Sequence, residues 1–213
     1  MLVKLSIFGV LRILDFLLLK QTFFIFFFCA LVGVVDSTLK MLIQVDSKVV
    51  VAFSTTVQMN FALFTLFTMS EGSYTTLYLA LLNHMLTASL LFFIADTILV
   101  RFNTRELFFL SGLYSYLPLF SFFLLIALVN QINFPGFLGF VLDLNFLVSV
   151  LTAYPVTSFF LFFFLFGIEH LYVLYFFLKI CFGVSNKYSY VVLKDLSLAE
   201  TLLFMYLLSL SIF

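Results

Sequence analysis

The chain has 213 residues, 65% of them hydrophobic and 9% charged, with 10 basic and 10 acidic side chains that cancel at neutral pH. A soluble domain carries about 25% charged residues, so a mean hydropathy of +1.27 leaves too little polar surface to face water, and lipid is the expected solvent. Zero net charge offers no electrostatic basis for nucleic-acid binding.

About 20 consecutive apolar residues let a helix cross a bilayer. Runs such as "TFFIFFFCALVGVV" and "SFFLFFFLFGI" lack the alternation of a lipid-facing strand. The predicted fold class is therefore all-α: a polytopic membrane helix bundle of about seven transmembrane helices, one of them broken, forming a single membrane domain over 1–213. The first span covers about Leu2–Leu19; with no small-residue cleavage site after it, it reads as retained rather than as a signal peptide. The second covers Thr22–Leu39, the third Lys48–Met69 and the fourth Ser73–Val100. In "NTRE", Asn103 or Thr104 offers a helix cap after it.

The fifth span is interrupted: Tyr116–Asn130, a break at Pro135-Gly136, then Phe137–Ala153. Pro155 suits the first turn of the sixth span, Pro155–Phe182. The seventh, Ser197–Phe213, opens on "SLAE", whose spacing is that of a capping box. In this map the connections after spans two, four and six share one side of the membrane. They hold Lys40, Lys48, Arg101, Arg105, Lys179, Lys187 and Lys194, against Lys20 opposite. Such a bias points the basic side to the cytoplasm or matrix, placing the N-terminus inside and the C-terminus outside.

Ionisable groups at membrane depth are costly and usually face a bundle interior or water. Lys4, Arg12, His84, Asp143 and the adjacent pair Glu169-His170 fall within predicted spans. Lys4 could snorkel to an interface, Arg12 could pair with Asp15 along one helix face, and His84 could be a structural histidine. Asp143 is hardest to explain as structure. It follows a Pro-Gly break, and irregular backbone at this depth must meet protein or water. Cys29 and Cys181 sit in apolar runs and read as packing residues. No nucleotide loop, metal motif or nucleophile elbow is present, so no catalytic or metal-ligating residue is assigned. Lysine, histidine and carboxylate on separate spans suggest a proton path instead.

Five stretches in order carry a family likeness: "LVKLSIFGVLR" (Leu2–Arg12), "DSKVVVAFSTTVQMNF" (Asp46–Phe61), "NHMLTASLLFF" (Asn83–Phe93), "RFNTRE" followed by "SGL", and "LPLFSFFLLIALVNQINFPGFLGFVLD". Together they resemble the C-terminal half, helices eight to fourteen, of subunit 4 of proton-pumping NADH:ubiquinone oxidoreductase (complex I), an antiporter-like membrane subunit. The resemblance implies a membrane-arm subunit that moves protons without redox chemistry of its own. Lys4 would lie on a central hydrated axis, His84 would relay protons, and Asp143 would be the terminal site beside Pro135 and Gly136. Lys48, Glu169 and His170 are possible auxiliaries.

NADH, FMN, iron–sulfur clusters and ubiquinone would bind other subunits, leaving no cofactor on this chain. The implied partners are a separate chain carrying the first half, other membrane-arm subunits and phospholipid; the implied location is the mitochondrial inner membrane. Departures are Asp143 where the family usually has glutamate, Gln58 where it commonly has histidine, and Glu169-His170, which has no recognised counterpart. The first half normally holds a glutamate on helix five and a lysine on helix seven, so a split subunit is expected. Competing expectations are an Mrp-type cation/proton antiporter subunit and a structural subunit whose proton path has decayed.

Overall fold

The structure, a computed structural model, describes residues 6–10, 12, 23–68, 73–153, 155–182 and 194–212. Lys4, Asp15, Lys20 and Lys187 lie outside the described residues. Among the described residues the fold is all-α, with eight helices beyond the helical stretch 6–10. They are α1 (Phe23–Ile43), α2 (Ser47–Thr68), α3 (Ser73–Phe102), α4 (Leu113–Tyr116), α5 (Pro118–Gln131), α6 (Leu138–Ala153), α7 (Pro155–Cys181) and α8 (Leu198–Ser211). Hydropathy had placed each long element within a few residues of these bounds. In α3, Thr75–Phe102 is long and apolar enough by itself to cross a membrane.

Local chemistry sets the ends. Ser197 caps α8 through the reciprocal box expected from "SLAE": its hydroxyl accepts from Glu200 N–H, and the Glu200 carboxylate accepts from Ser197 N–H. At the end of α3, Asn103 is left-handed (φ 54°) and its N–H donates to the Leu99 carbonyl at 2.8 Å. Asparagine tolerates this conformation better than most residues. It therefore ends α3, the helix cap expected in "NTRE" falling at this C-terminal end, and irregular backbone runs from there to Gly112. The short α4 that follows was not anticipated.

The connections after α1 and α3 meet residues 194–197, which lead into α8, at one end of the bundle. Ser47 N–H donates to Arg105 O and Leu107 N–H to Val45 O, at 3.0 and 2.9 Å, tying the first two together. Arg101 Nη2 lies 2.6 Å from Glu200 Oε2, and Arg101 Nε donates to the Lys194 carbonyl. Asp195 accepts from the N–H groups of Leu119 and Phe120, at 2.9 and 3.2 Å, capping α5 from a segment 75 residues away. The bonds from Ser47, Leu119 and Phe120 satisfy helix-end donors that would otherwise be orphaned.

The principal core lies between α3, α5, α7 and α8. Phe204, fully buried, packs edge-on to Phe93 at 4.9 Å and stacks on Phe123 at 5.2 Å. A second cluster joins Ile7 to Met59, Ala62 and Leu66 of α2 and to Leu77 and Leu81 of α3. Large apolar side chains such as Ile43, Val100, Leu171 and Leu202 are exposed on the outside, as a lipid-solvated surface requires.

Candidate functional site

Both α5 and α8 have 14 residues, about 21 Å at 1.5 Å per residue, short of a hydrocarbon core of about 30 Å. Starting from the end where the loops meet, α5 stops part-way across, and the interruption falls at membrane depth. Helix geometry ends at Gln131 and resumes at Leu138. Between them Asn133 (φ 56°) and Gly136 (φ 110°) are left-handed, and Pro135 and Gly136 are exposed. The Pro-Gly hinge is thus preceded by a turn at Asn133 that the sequence reading did not single out. The end of α8 lies alongside: Phe137 pairs with Ile212 in an isolated bridge, and buried Asn130 Nδ2 donates to Ser211 Oγ at 3.0 Å.

The break delivers Asp143, half-buried one turn into α6, to a polar pocket. Asn133 Nδ2 donates to Asp143 Oδ2 at 2.8 Å. Asn83 Nδ2 of α3 approaches Asn133 Oδ1 at 3.5 Å. Gly139 permits this arrangement, since a Cβ there would overlap the Asn133 amide. His84, one residue along α3 from Asn83, is 5% exposed. Thr87 Oγ1 lies 3.5 Å from its Nδ1 and donates to its carbonyl at 3.3 Å.

His84 and Asp143 line the same two small cavities. One, of about 50 Å3, is completed by Gln58, Thr76, Phe61 and Phe146 among others. The other, of about 30 Å3, adds Asn83, Thr87, Gln131, Asn133 and Gly139. A water needs roughly 10–15 Å3 of such space and two or more polar partners, so each cavity has room and polarity for water. On its other side His84 borders a larger space of about 580 Å3, lined also by Ser6, Ile7 and Val10 of the first span and by Thr55, Thr56 and Asn60 of α2.

The sequence-selected residues divide accordingly. His84 and Asp143 come together. Lys4 is outside the described residues, but the stretch just after it borders the larger space beside His84. Lys48 is exposed in the first turn of α2, at the loop end, and does not line these cavities. His170 is half-buried on α7, and the side chain of Glu169 is outside the description. Arg12 is exposed and lies over the Phe8 ring at 5.5 Å. Sequence reading missed Asn83, Asn133 and Gly139; asparagine two residues before Pro-Gly was the available signal for a left-handed turn.

A lipid-solvated helix bundle in which a broken helix brings a carboxylate to a buried histidine defines an antiporter-like membrane subunit. Residues 1–169 match the family model "NADH:quinone oxidoreductase/Mrp antiporter, TM", and the chain belongs to that family. Among its relatives, NADH-ubiquinone oxidoreductase chain 4 of Acanthamoeba castellanii is 33% identical over 144 residues, 66% of this chain and 29% of that protein. NADH-quinone oxidoreductase subunit M of Rickettsia typhi is 29% identical over 158 residues, 73% of this chain and 31% of that one. The chain thus spans about a third or less of these relatives' length. In fold it is similar to a chain of respiratory complex I from Thermus thermophilus, with TM-score 0.79 and 22% identity over 90% of this chain and 40% of that chain. It is also similar to a chain of the Mrp complex from Dietzia, with TM-score 0.77 and 21% identity over 86% of this chain and 35% of that chain.

Proposed function

We propose that this chain is a proton-translocating part of the membrane arm of respiratory NADH:ubiquinone oxidoreductase, corresponding to the C-terminal half of subunit 4. The observation that carries the reading is that His84 and Asp143, from separate helices, line one water-sized cavity. Protons would pass along an axis from Lys4 through His84 to Asp143. Each group is ionisable where ionisable groups are expensive, so a change of charge at one alters the proton affinity of the next. The chain itself would carry out no redox step; NADH, FMN, iron–sulfur clusters and ubiquinone belong on other subunits. The fold of the relatives' remaining length would dock beside the first span, facing the space that His84 and residues 6–10 border. Other membrane-arm subunits and phospholipid complete its surroundings. We place it in the mitochondrial inner membrane with the basic loop end toward the matrix. Lys48, Glu169 and His170 are retained only as auxiliary candidates.

The test is Asp143→Asn in membranes that carry the assembled complex. Proton uptake coupled to NADH oxidation, or the coupled turnover itself, should be cut while the complex still assembles. Undiminished uptake would remove Asp143 from the path and leave a structural subunit. The likeness to the Mrp complex chain favours one alternative, a subunit of a cation/proton antiporter. Co-purification with quinone-reductase subunits would exclude it.

A further inference from the structure

Asn133 is one of two non-glycine residues with positive φ among the described residues, and it sits in the turn joining the halves of the broken helix. Its side chain spans the gap. Nδ2 donates to Asp143 Oδ2 at 2.8 Å, Oδ1 faces Asn83 Nδ2 at 3.5 Å, and the missing Cβ of Gly139 leaves the room. A run of amides thus joins α3, beside His84, to the carboxylate on α6 through the connecting turn.

We propose that Asn133 is a positioning residue for Asp143, a latch that ties the geometry of the broken helix to the charge on that carboxylate. The inference rests on the proposed proton-carrying role of Asp143. An N–H donor to an ionised carboxylate forms a charge-assisted hydrogen bond, about twice as strong as a neutral one. With Asp143 ionised, the bond holds the turn and keeps the carboxylate in the cavity it shares with His84. When Asp143 takes a proton the charge assistance is lost and the latch loosens. The turn can then shift, and the carboxyl group can turn from the side facing His84 and Gln58 toward the exposed segment at Pro135-Gly136. Among the described cavity-lining residues, His84 is the titratable group facing Asp143; Gln58, Thr76, Asn83 and Gln131 are neutral.

The geometry also supplies a rescue. A Cβ built on Gly139 falls on the Asn133 amide and 2.9 Å from Asn83 Nδ2. Positions 139 and 143 are four apart, on one helix face. In Asn133→Gly the turn keeps a residue suited to positive φ while the amide disappears. Adding Gly139→Asn returns an amide to the vacated space beside Asp143.

The experiment measures proton uptake per NADH oxidised in membrane vesicles carrying the whole complex, with assembly followed on native gels. Asn133→Gly should lower the uptake per NADH at least about tenfold, the scale of a lost hydrogen bond to a charged group, in an assembled complex. Asn133→Gly/Gly139→Asn should recover most of it. Assembled Asn133→Gly with wild-type uptake overturns the inference. That result would show a role confined to the backbone turn, which glycine satisfies; an assembled double variant that recovers nothing overturns the inference too, because the amide has been returned beside Asp143 without effect. Should Asn133→Gly fail to assemble, the double variant alone decides: assembled and active supports the latch, and assembled and inactive or unassembled refutes it. Asp143→Asn runs alongside. If it pumps normally, the functional reading fails; if it is dead while Asn133→Gly is normal, only the latch fails.

Discussion

The ion pair between Arg101 and Glu200 joins positions 99 residues apart and decides how α8 is held against α3. The Arg101 side chain is 11% exposed and that of Glu200 27%, with Nη2 and Oε2 2.6 Å apart. Exposed pairs contribute about 0–1 kcal/mol, whereas breaking a buried pair costs about 3–5 kcal/mol. This pair lies between those limits, so Arg101→Ala should cost about 2 kcal/mol, part of it from the lost bond to Lys194 O. Glu200→Ala should cost more, because the same carboxylate oxygen accepts from Ser197 N–H and Oγ and removing it also dismantles the α8 cap. A double-mutant cycle, read by equilibrium unfolding in mixed detergent micelles, separates these effects. The expected coupling is about 1–2 kcal/mol, reduced little by salt since the guanidinium is mostly covered. Strict additivity of the two substitutions would show that the pair does not hold α8, and would undercut the packing of the start of α8 on the end of α3.

Two further perturbations probe the same scaffold. Phe204→Ala leaves a hole between Phe93 and Phe123; a loss of about 3–5 kcal/mol is expected, with Phe204→Leu losing clearly less in the same unfolding assay. Asp195→Ala removes the acceptor for the first N–H groups of α5. It should cost about 1 kcal/mol and speed hydrogen exchange at Leu119 and Phe120 selectively, while exchange in the middle of α3 stays unchanged.

Much of the fold was legible because lipid solvation makes hydropathy nearly sufficient. In a bilayer a helix must satisfy its own backbone, so an apolar run bounded by polar residues marks an element and its approximate ends. Ser73–Phe102 and Pro155–Cys181 were therefore readable to within two residues. The cap at Ser197 was readable because its chemistry is local: serine and glutamate three apart satisfy each other's backbone. At Asn103 the sequence marked a cap but not which helix end it serves, because the same residue type acts as an N-cap or as a left-handed stop, and only the surrounding backbone distinguishes the two. Tertiary capping was invisible. Nothing near Asp195 in sequence indicates that it serves α5, 75 positions earlier.

The site shows the same division. His84 and Asp143 were visible as ionisable groups in apolar runs, and Pro135-Gly136 marked a break. The residues that connect them were not, because neutral amides in a membrane helix carry no charge signal. Yet the amides bear on a departure already present in the sequence. Members of the resembling family usually place glutamate at the position of Asp143, and the shorter side chain reaches one methylene less far. Here Asn133 extends from the left-handed turn to meet Asp143 at 2.8 Å, across space that Gly139 leaves open. The carboxylate thus has a hydrogen-bond donor in the turn beside its cavity. A charged group at this depth needs hydrogen-bonding partners more than it needs reach, and Asn133 supplies one from the element whose geometry the break already defines. On this reading Asp143, Asn133 and Gly139 form one unit, so that the effect of lengthening the carboxylate depends on which amide is present to meet it.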